Sequence, residues 1–197
     1  MTVTITKIYD NYADAEVAVR SLEAAGVSQS DISIVANNSD DWYSKKNRDG
    51  DGLDDRGDGA GKGAGIGAGV GGTAGLLAGL GFLAIPGIGP VVAAGWLAAT
   101  AVGVAAGATA GGIVGALTEA GVSKDEAPLY AEGVRRGGTL VSARVNDSER
   151  DRYEAILNQS AVDVRQRSLA WQKSGWKSYD PASKPYSADD IRRERGL

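Results

Sequence analysis

The residues best spaced for chemistry in this sequence form an acidic loop over residues 47–58. Counted as a twelve-residue loop, it places oxygen donors at positions one, three, five, nine and twelve, and Gly52 at position six, where calcium-binding loops turn sharply. Carboxylate and carbonyl oxygens are the ligands that Ca2+ prefers. The sequence therefore predicts a candidate calcium site with the ligands Asn47, Asp49, Asp51, the Leu53 carbonyl, Asp55 and Asp58.

The same loop also fits a second interpretation, a solvated and flexible Asp/Gly linker. Its last donor is the short Asp58 where such calcium loops carry Glu, and Arg48 and Arg56 weaken the negative field. No convincing pair of helices flanks the loop. Acidic, glycine-rich segments of this kind are typical of linkers. We therefore expect no required cofactor and keep Ca2+ as a candidate ligand.

The residue inventory argues against an enzyme. The 197 residues include no His and no Cys, so the usual general base, the commonest metal ligand and a thiolate nucleophile are missing. Glycines are dense, yet none belongs to a phosphate-loop pattern that ends in Lys-Ser or Lys-Thr. The net charge of -4 is small and mixed in sign, without the basic stripe of a nucleic-acid-binding protein. We expect a non-enzymatic protein with no nucleic-acid partner.

A charge-free stretch, Gly63–Thr118, separates two charged flanks. Within it glycines recur at every fourth position, with Ala99 filling one gap, on both sides of a turn-forming segment at residues 85–90. Residues four apart share a helix face, so these columns predict two closely packed helices, Ala64–Ile85 and Val91–Leu117. The predicted helix-packing residues are Gly63, Gly67, Gly71, Gly75, Gly79, Gly95, Gly103, Gly107, Gly111 and Gly115.

The charged flanks carry two β-α-β patterns, each with a helix between two strands. The predicted strands are 2–9, 32–36, 139–145 and 161–167, and the predicted helices are 11–26 and 147–159. A Ser123-x-x-Glu126 capping box predicts a further helix before the third strand. Two such units predict an α+β fold: a ferredoxin-like split β-α-β/β-α-β sheet, with a glycine-zipper helical hairpin inserted between its halves.

These patterns divide the chain into four parts. The parts are a ferredoxin-like domain in two halves (1–37 and 122–168), an acidic Asp/Gly linker (38–60), the glycine-zipper hairpin (61–121) and an aromatic and charged C-terminal tail (169–197). The tail either docks on the sheet or on a neighbouring copy, or stays disordered. Arg135 and Arg136 suit the negative end of a helix dipole, and a lipid head group is the alternative partner.

Two segments resemble the bacterial general stress protein 17M-like family. The first is Ala84–Gly95, which spans the predicted turn, and the second is Tyr130–Val141, which joins a helix to a strand. The resemblance covers most of residues 1–170 and implies a stress-associated bacterial protein, often described as a membrane protein because of its hairpin. It implies no established catalytic activity and supplies no catalytic residues. The acidic loop and the aromatic tail depart from the family pattern.

The predicted hairpin fits two main functions. Each of its helices is long enough to cross a hydrocarbon core of about 30 Å, so we expect a cytoplasmic or inner-membrane-associated protein whose ferredoxin-like domain stays in the cytoplasm. The glycine columns equally fit a soluble homo-oligomer, a ring, shell or filament with hairpins buried between copies. The expected partners are further copies of the chain, with membrane lipid as the alternative. A small-ligand sensor is a third and more distant function.

Overall fold

One antiparallel sheet organises the computed structural model, which describes residues 1–43, 76–100 and 112–195. Its strands are β1 (Thr2–Tyr9), β2 (Ile32–Asn37), β3 (Gly81–Ile85), β4 (Gly89–Gly95) and β5 (Thr139–Asn146). Their order across the sheet is β1-β5-β2-β4-β3. Because helices are interspersed with these strands, the prediction of an α+β fold is confirmed.

Helices accompany the sheet, and side chains cap the first turn of some of them. They are α1 (Tyr12–Ala24), α2 (Gly112–Glu119), α3 (Ala127–Arg135), α4 (Arg150–Leu157), α5 (Val164–Lys173) and α6 (Ala188–Arg195). Asn11 caps α1 by accepting a hydrogen bond of 2.9 Å from the Asp14 N–H. The predicted capping box forms in part ahead of α3: the Ser123 hydroxyl accepts from the Glu126 N–H and donates to the Glu126 carboxylate, each at 3.2 Å, and the helix begins at Ala127. Residues 96–100 are also helical.

The central strand β5 joins the two charged flanks. On one side it pairs with β1, from Thr2 opposite Asn146 to Tyr9 opposite Thr139, and on the other side it pairs with β2. Both pairings are antiparallel, so β1 and β2 run parallel to each other across β5, as the first β-α-β pattern predicts. The two charged flanks therefore both contribute strands to one sheet, while the ferredoxin-like topology stays a prediction.

Helices cover both faces of the sheet and give two cores. On one face α1 and α4 pack on alternate residues of the strands, such as Ile34 and Val141. On the other face α2, α3 and α5 pack on the intervening residues, such as Val35 and Leu140. Because the side chains of a strand alternate between faces, the nearly continuous burial of β2 and β5 follows from cover on both sides.

The turn at residues 86–88 joins two strands, so the predicted helices Ala64–Ile85 and Val91–Leu117 are wrong over β3 and β4. Strand β4 pairs with the edge of β2, and β3 then pairs with β4. An uncharged apolar run has no periodicity that separates a buried strand from a buried helix. The edge of β2 decides between them, because it offers backbone hydrogen bonds and burial on both faces at once. Within the described residues, no helix combines the length and apolar character needed to cross a bilayer.

The predicted closing strand at 161–167 is also wrong. Only Val162 bridges to the sheet, opposite Ile8, and α5 begins two residues later. Asp163 ends the strand because its side chain accepts hydrogen bonds from the N–H groups of Arg165 and Gln166, at 2.9 and 3.0 Å. This is an N-cap, and it commits the following residues to a helix.

Candidate functional site

The outer edge of the sheet is strand β3, and it is the candidate contact surface of the chain. Within the described residues β3 pairs with β4 along one side only, and no backbone hydrogen bond reaches its other side. None of the residues Gly81–Ile85 is charged, and Phe82 is 42% exposed. Such an edge leaves backbone N–H and C=O groups open to another strand, without the charges that natural proteins use to block pairing.

A row of aromatic rings leads across the molecule to this edge. Tyr12 at the start of α1 lies 4.6 Å from Trp42 between ring centroids, Trp42 lies 5.8 Å from Tyr43, and Tyr43 lies 5.2 Å from Phe82. Hydrogen bonds fix the row, because the Trp42 indole donates to the Asn37 carbonyl at 2.8 Å and the Tyr43 hydroxyl to the Leu80 carbonyl at 3.2 Å. The row therefore holds in place the ring of Phe82, which is itself a residue of the edge strand β3.

Burial affects the chemistry of the first ring in this row. Burial first, and then the carboxylate of Glu16, together raise the pKa of Tyr12 to about 12. The Tyr12 hydroxyl is therefore protonated at neutral pH and is no nucleophile. The sequence signal that could have located the row is the Trp42-Tyr43 pair, which begins five residues after the end of β2 and places two large aromatic residues in an otherwise polar segment.

A buried ionic cluster lies at the end of α3. Glu132 is fully buried, and both of its oxygens lie 3.1 Å from Nη1 of Arg135. The Nε atom of Arg136 donates to the same carboxylate at 2.6 Å. The partner of Arg135 and Arg136 is therefore a buried carboxylate one turn earlier in the chain. The sequence suggested two other partners, the negative end of the helix dipole and a lipid head group, and no carboxylate. Glu132 gives no periodic signal in the sequence, and only the buried position of α3 reveals its role.

The C-terminal tail closes over this cluster. The Tyr186 ring lies against both guanidinium groups, at 4.5 Å from Arg135 and 5.3 Å from Arg136. Arg136 also bonds the Glu194 carboxylate on α6, and Arg135 donates to the Lys184 carbonyl at 3.2 Å. The tail is thus docked on its own domain through cation–π contacts and charged hydrogen bonds, which is the first of the two predicted outcomes.

The tail also covers the turn between β3 and β4. The Tyr179 hydroxyl donates to the Pro86 carbonyl at 3.2 Å, and burial raises the pKa of Tyr179 to about 12. A methyl group placed on Gly87 would lie 2.7 Å from the Pro181 carbonyl oxygen, and Gly87 has a φ of +77°. Only glycine fits this approach, because the tail backbone passes directly over a left-handed residue.

The predicted calcium ligands at residues 47–58 lie outside the described residues. Within the described ranges no three Asp or Glu residues converge as a metal site would require. Several predicted packing glycines also lie outside those ranges, namely Gly63, Gly67, Gly71, Gly75, Gly103, Gly107 and Gly111. Of the others, Gly79 ends a short 3-10 helix, Gly95 ends strand β4, and Gly115 lies within α2. Both predicted sets therefore stay predictions, because the described residues contain none of the calcium ligands and only three of the packing glycines.

Comparison of the chain with protein-family models, with curated proteins and with solved structures finds no match in any of the three. The resemblance to the general stress protein family stays a prediction from the two quoted segments. The features of the described residues that bear on function are the β3 edge, the tail and the surfaces around them.

Proposed function

We propose that the chain is a non-enzymatic protein that self-associates, with copies pairing through the outer edges of strand β3. The observation that supports this is the edge from Gly81 to Ile85, which is uncharged and partly apolar and includes the exposed Phe82 ring. Association of this kind adds one strand to another through main-chain hydrogen bonds, which no particular side chain has to provide. A stress-linked role, as the resemblance implies, and a cytoplasmic location are parts of the same proposal.

A second copy fits this edge because the strand is compatible with itself. Two identical strands related by a two-fold axis pair antiparallel, and an axis at Leu83 sets Phe82 opposite Ala84 of the other copy. No charged side chain lies between Gly81 and Ile85, so no like charges meet across the axis. Phe82 and Ala84, which are exposed, lie on one face, while Leu83 and Ile85 extend the core on the other.

The geometry of the β3–β4 turn favours self-association over membrane insertion. In a membrane-crossing hairpin this turn would lie at the far side of the bilayer, remote from the sheet. Here β4 is hydrogen-bonded to β2, and the tail residues Pro181 and Pro185 contact the turn. The apolar residues around the turn thus contribute to the domain core, and Ile88 and Val91 are fully buried. Lipid contact through a segment outside the described residues is the alternative that the experiment below separates.

Replacement of the exposed edge residues by lysine tests the proposal. The double variant Phe82→Lys and Ala84→Lys places lysines opposite each other across the two-fold axis, where like charges oppose pairing. We expect the particle mass of the wild type to be a multiple of the 20.2 kDa chain and that of the variant to be a single chain. Light scattering coupled to size exclusion measures both masses.

The matched control is the double variant Val17→Lys and Leu169→Lys. These residues are 60% and 57% exposed on α1 and α5, so the charge change is the same but lies away from the β3 edge. The control should keep the mass of the wild type. A single-chain mass for the wild type, an equal loss of mass in the control, or recovery of the wild type only from detergent-treated membranes would each overturn the proposal.

A further inference from the structure

A cleft with four arginines opens between the end of β1, helix α5 and helix α6. Its volume is about 400 Å3, within the range of small-molecule sites. Basic side chains outnumber acidic ones along its walls, and Trp171 adds an aromatic surface. The charged residues that line it are Arg136, Arg167, Arg193, Arg195, Asp10 and Glu194. This composition suits an anionic ligand.

Three of these arginines already have carboxylate partners. Arg136 bonds Glu132 and Glu194, and its guanidinium lies 5.0 Å from the centroid of the Trp171 ring. Arg167 contacts Asp10 at 3.0 Å, with both side chains well exposed to solvent. Arg193 contacts Asp190 within α6, and both of these side chains are exposed to solvent. The exposed pairs Arg167–Asp10 and Arg193–Asp190 are weak, because solvent screens them. Each arginine can therefore leave its carboxylate and bind a ligand at little cost in free energy.

Arg195 differs from these three. It is half-buried, and the part of the chain that the structure describes gives it neither a hydrogen bond nor an ion pair. Burial lowers the pKa of the Arg195 guanidinium, the nearby carboxylates of Asp10 and Asp40 raise it, and Arg167 lowers it again. The guanidinium still carries its charge, since arginine is not deprotonated in proteins. A partly desolvated guanidinium beside a second arginine offers an oxyanion charge-assisted hydrogen bonds, which are stronger than neutral ones.

We propose that this cleft binds a small phosphate-bearing anion, with Arg195 and Arg167 as the phosphate-binding residues. A guanidinium presents two parallel N–H donors that match two oxygens of a phosphate. Arg195 contributes a half-buried cation that makes no hydrogen bond or ion pair within the described residues, and Arg167 can turn from the exposed Asp10 toward the same phosphate. Trp171 and Ala170 then offer an apolar wall to the rest of the molecule, so a phosphate monoester fits better than phosphate alone.

Titration calorimetry on the full chain tests the site with two probes, inorganic phosphate and AMP, at matched ionic strength. We expect AMP to bind the wild type with a Kd below about 1 mM and phosphate to bind more weakly. The variant Arg195→Gln should weaken AMP binding about tenfold or more, because one charged hydrogen-bonding group is lost. Arg167→Gln provides a second variant if Arg195→Gln fails to fold.

The control variant is Arg192→Gln, which removes the same charge from the same helix. Arg192 pairs only with Asp189 among the described residues and does not line the cleft. AMP affinity within twofold of the wild type is expected for this control. Absence of heat with both probes, or an equal loss of affinity in Arg192→Gln and Arg195→Gln, overturns the proposal. Equal affinity for phosphate and AMP would keep the arginine site and reject the apolar wall.

Discussion

Glu132 is the central carboxylate of a buried ionic cluster. Its carboxylate is fully buried and bonds Arg135 and Arg136, while Glu194 contacts Arg136 from helix α6. Burial of an isolated charge is very unfavourable, so each of these groups needs the others once the cluster is buried. The cluster therefore links α3 to the tail, in addition to neutralising a short stretch of helix.

Replacement of Glu132 by Ala should destabilise the protein by about 3 kcal/mol or more. The change leaves Arg135 and Arg136 buried without their shared carboxylate, and loss of one member of a buried ion pair carries costs of this size. Urea unfolding monitored by circular dichroism gives the free energy of unfolding. It should also show earlier loss of the tail, because Arg136 then has only Glu194 left as a carboxylate partner.

The control for this change is Glu149→Ala. Glu149 forms an ion pair with Arg152 in which both side chains are largely exposed, at 41% and 58%. Solvent screening limits such a pair to less than about 1 kcal/mol. Equal losses of stability in the two variants would show that burial at Glu132 has no special role.

Within the secondary-structure elements, the glycines of the charge-free stretch have different structural roles. Gly95 ends β4 with a φ of +86°, and a methyl group there would lie 2.2 Å from the Ile32 carbonyl oxygen. Gly115 lies inside α2, and a methyl group there would have no described atom within 4 Å. Gly95 therefore permits a close approach of two backbones, whereas Gly115 leaves open space beside helix α2.

The pair Gly95→Ala and Gly115→Ala should therefore change stability in opposite directions. Gly95→Ala should cost about 2–4 kcal/mol, because it adds a left-handed strain and a clash with a neighbouring backbone. Gly115→Ala should stabilise α2 by about 0.5–1 kcal/mol, because alanine is the better helix former. Thermal unfolding of both variants checks the two signs.

Gly115→Ala also examines the predicted glycine column. If Gly115 packs against a helix of another copy, the added methyl group weakens association and lowers the particle mass. An unchanged mass together with a higher melting temperature would mean that Gly115 is no contact residue. A destabilised Gly115→Ala would contradict the open surroundings of α2.

The flanking elements could be predicted because their sequences alternate or cap clearly. Residues 2–9 alternate, Asn11 starts a helix and Gly26 ends it with a φ of +100°, and each of these features appears where the pattern places it. The β3–β4 hairpin could not be predicted, because its helix or strand state depends on the distant edge of β2.

The functional surfaces were harder to predict than the elements. Arg135 and Arg136 are visible in the sequence, but their partner Glu132 becomes a buried carboxylate only once α3 packs on the sheet. Arg167 and Arg195 lie far apart in the sequence and meet at one cleft because the tail returns to the end of β1. Such sites depend on long-range packing, which neither periodicity nor composition reports.

For the whole molecule, buried tyrosines set the alkaline limit of stability. Burial raises the pKa of Tyr9 and Tyr130 well above the ordinary value of 10, and their hydroxyls donate to the carbonyls of Leu157 and Thr6 at 2.8 Å. In the unfolded chain these groups ionise near pH 10. The folded state therefore keeps its tyrosine protons over a pH range in which the unfolded state loses them.

The contribution of these tyrosines to the free energy of unfolding should consequently be constant below about pH 10 and fall as the pH rises further. Each of Tyr9 and Tyr130 contributes up to about 1.4 kcal/mol per pH unit in that range. Urea unfolding at about pH 9 and pH 11 measures the fall, and Tyr130→Phe should make it shallower. Tyrosinate absorbance that rises fully before the secondary structure is lost would refute this account.

The tail's cover over the β3–β4 turn also has a consequence for how the chain matures during synthesis. The turn at residues 86–88 emerges from the ribosome roughly a hundred residues before Pro185, and translation adds about 5–20 residues per second. The apolar turn is therefore without its cover for roughly 5–20 seconds in every newly made molecule. During that interval nascent chains on neighbouring ribosomes present the same uncovered surface, so copies can meet cotranslationally before each tail closes over its own domain.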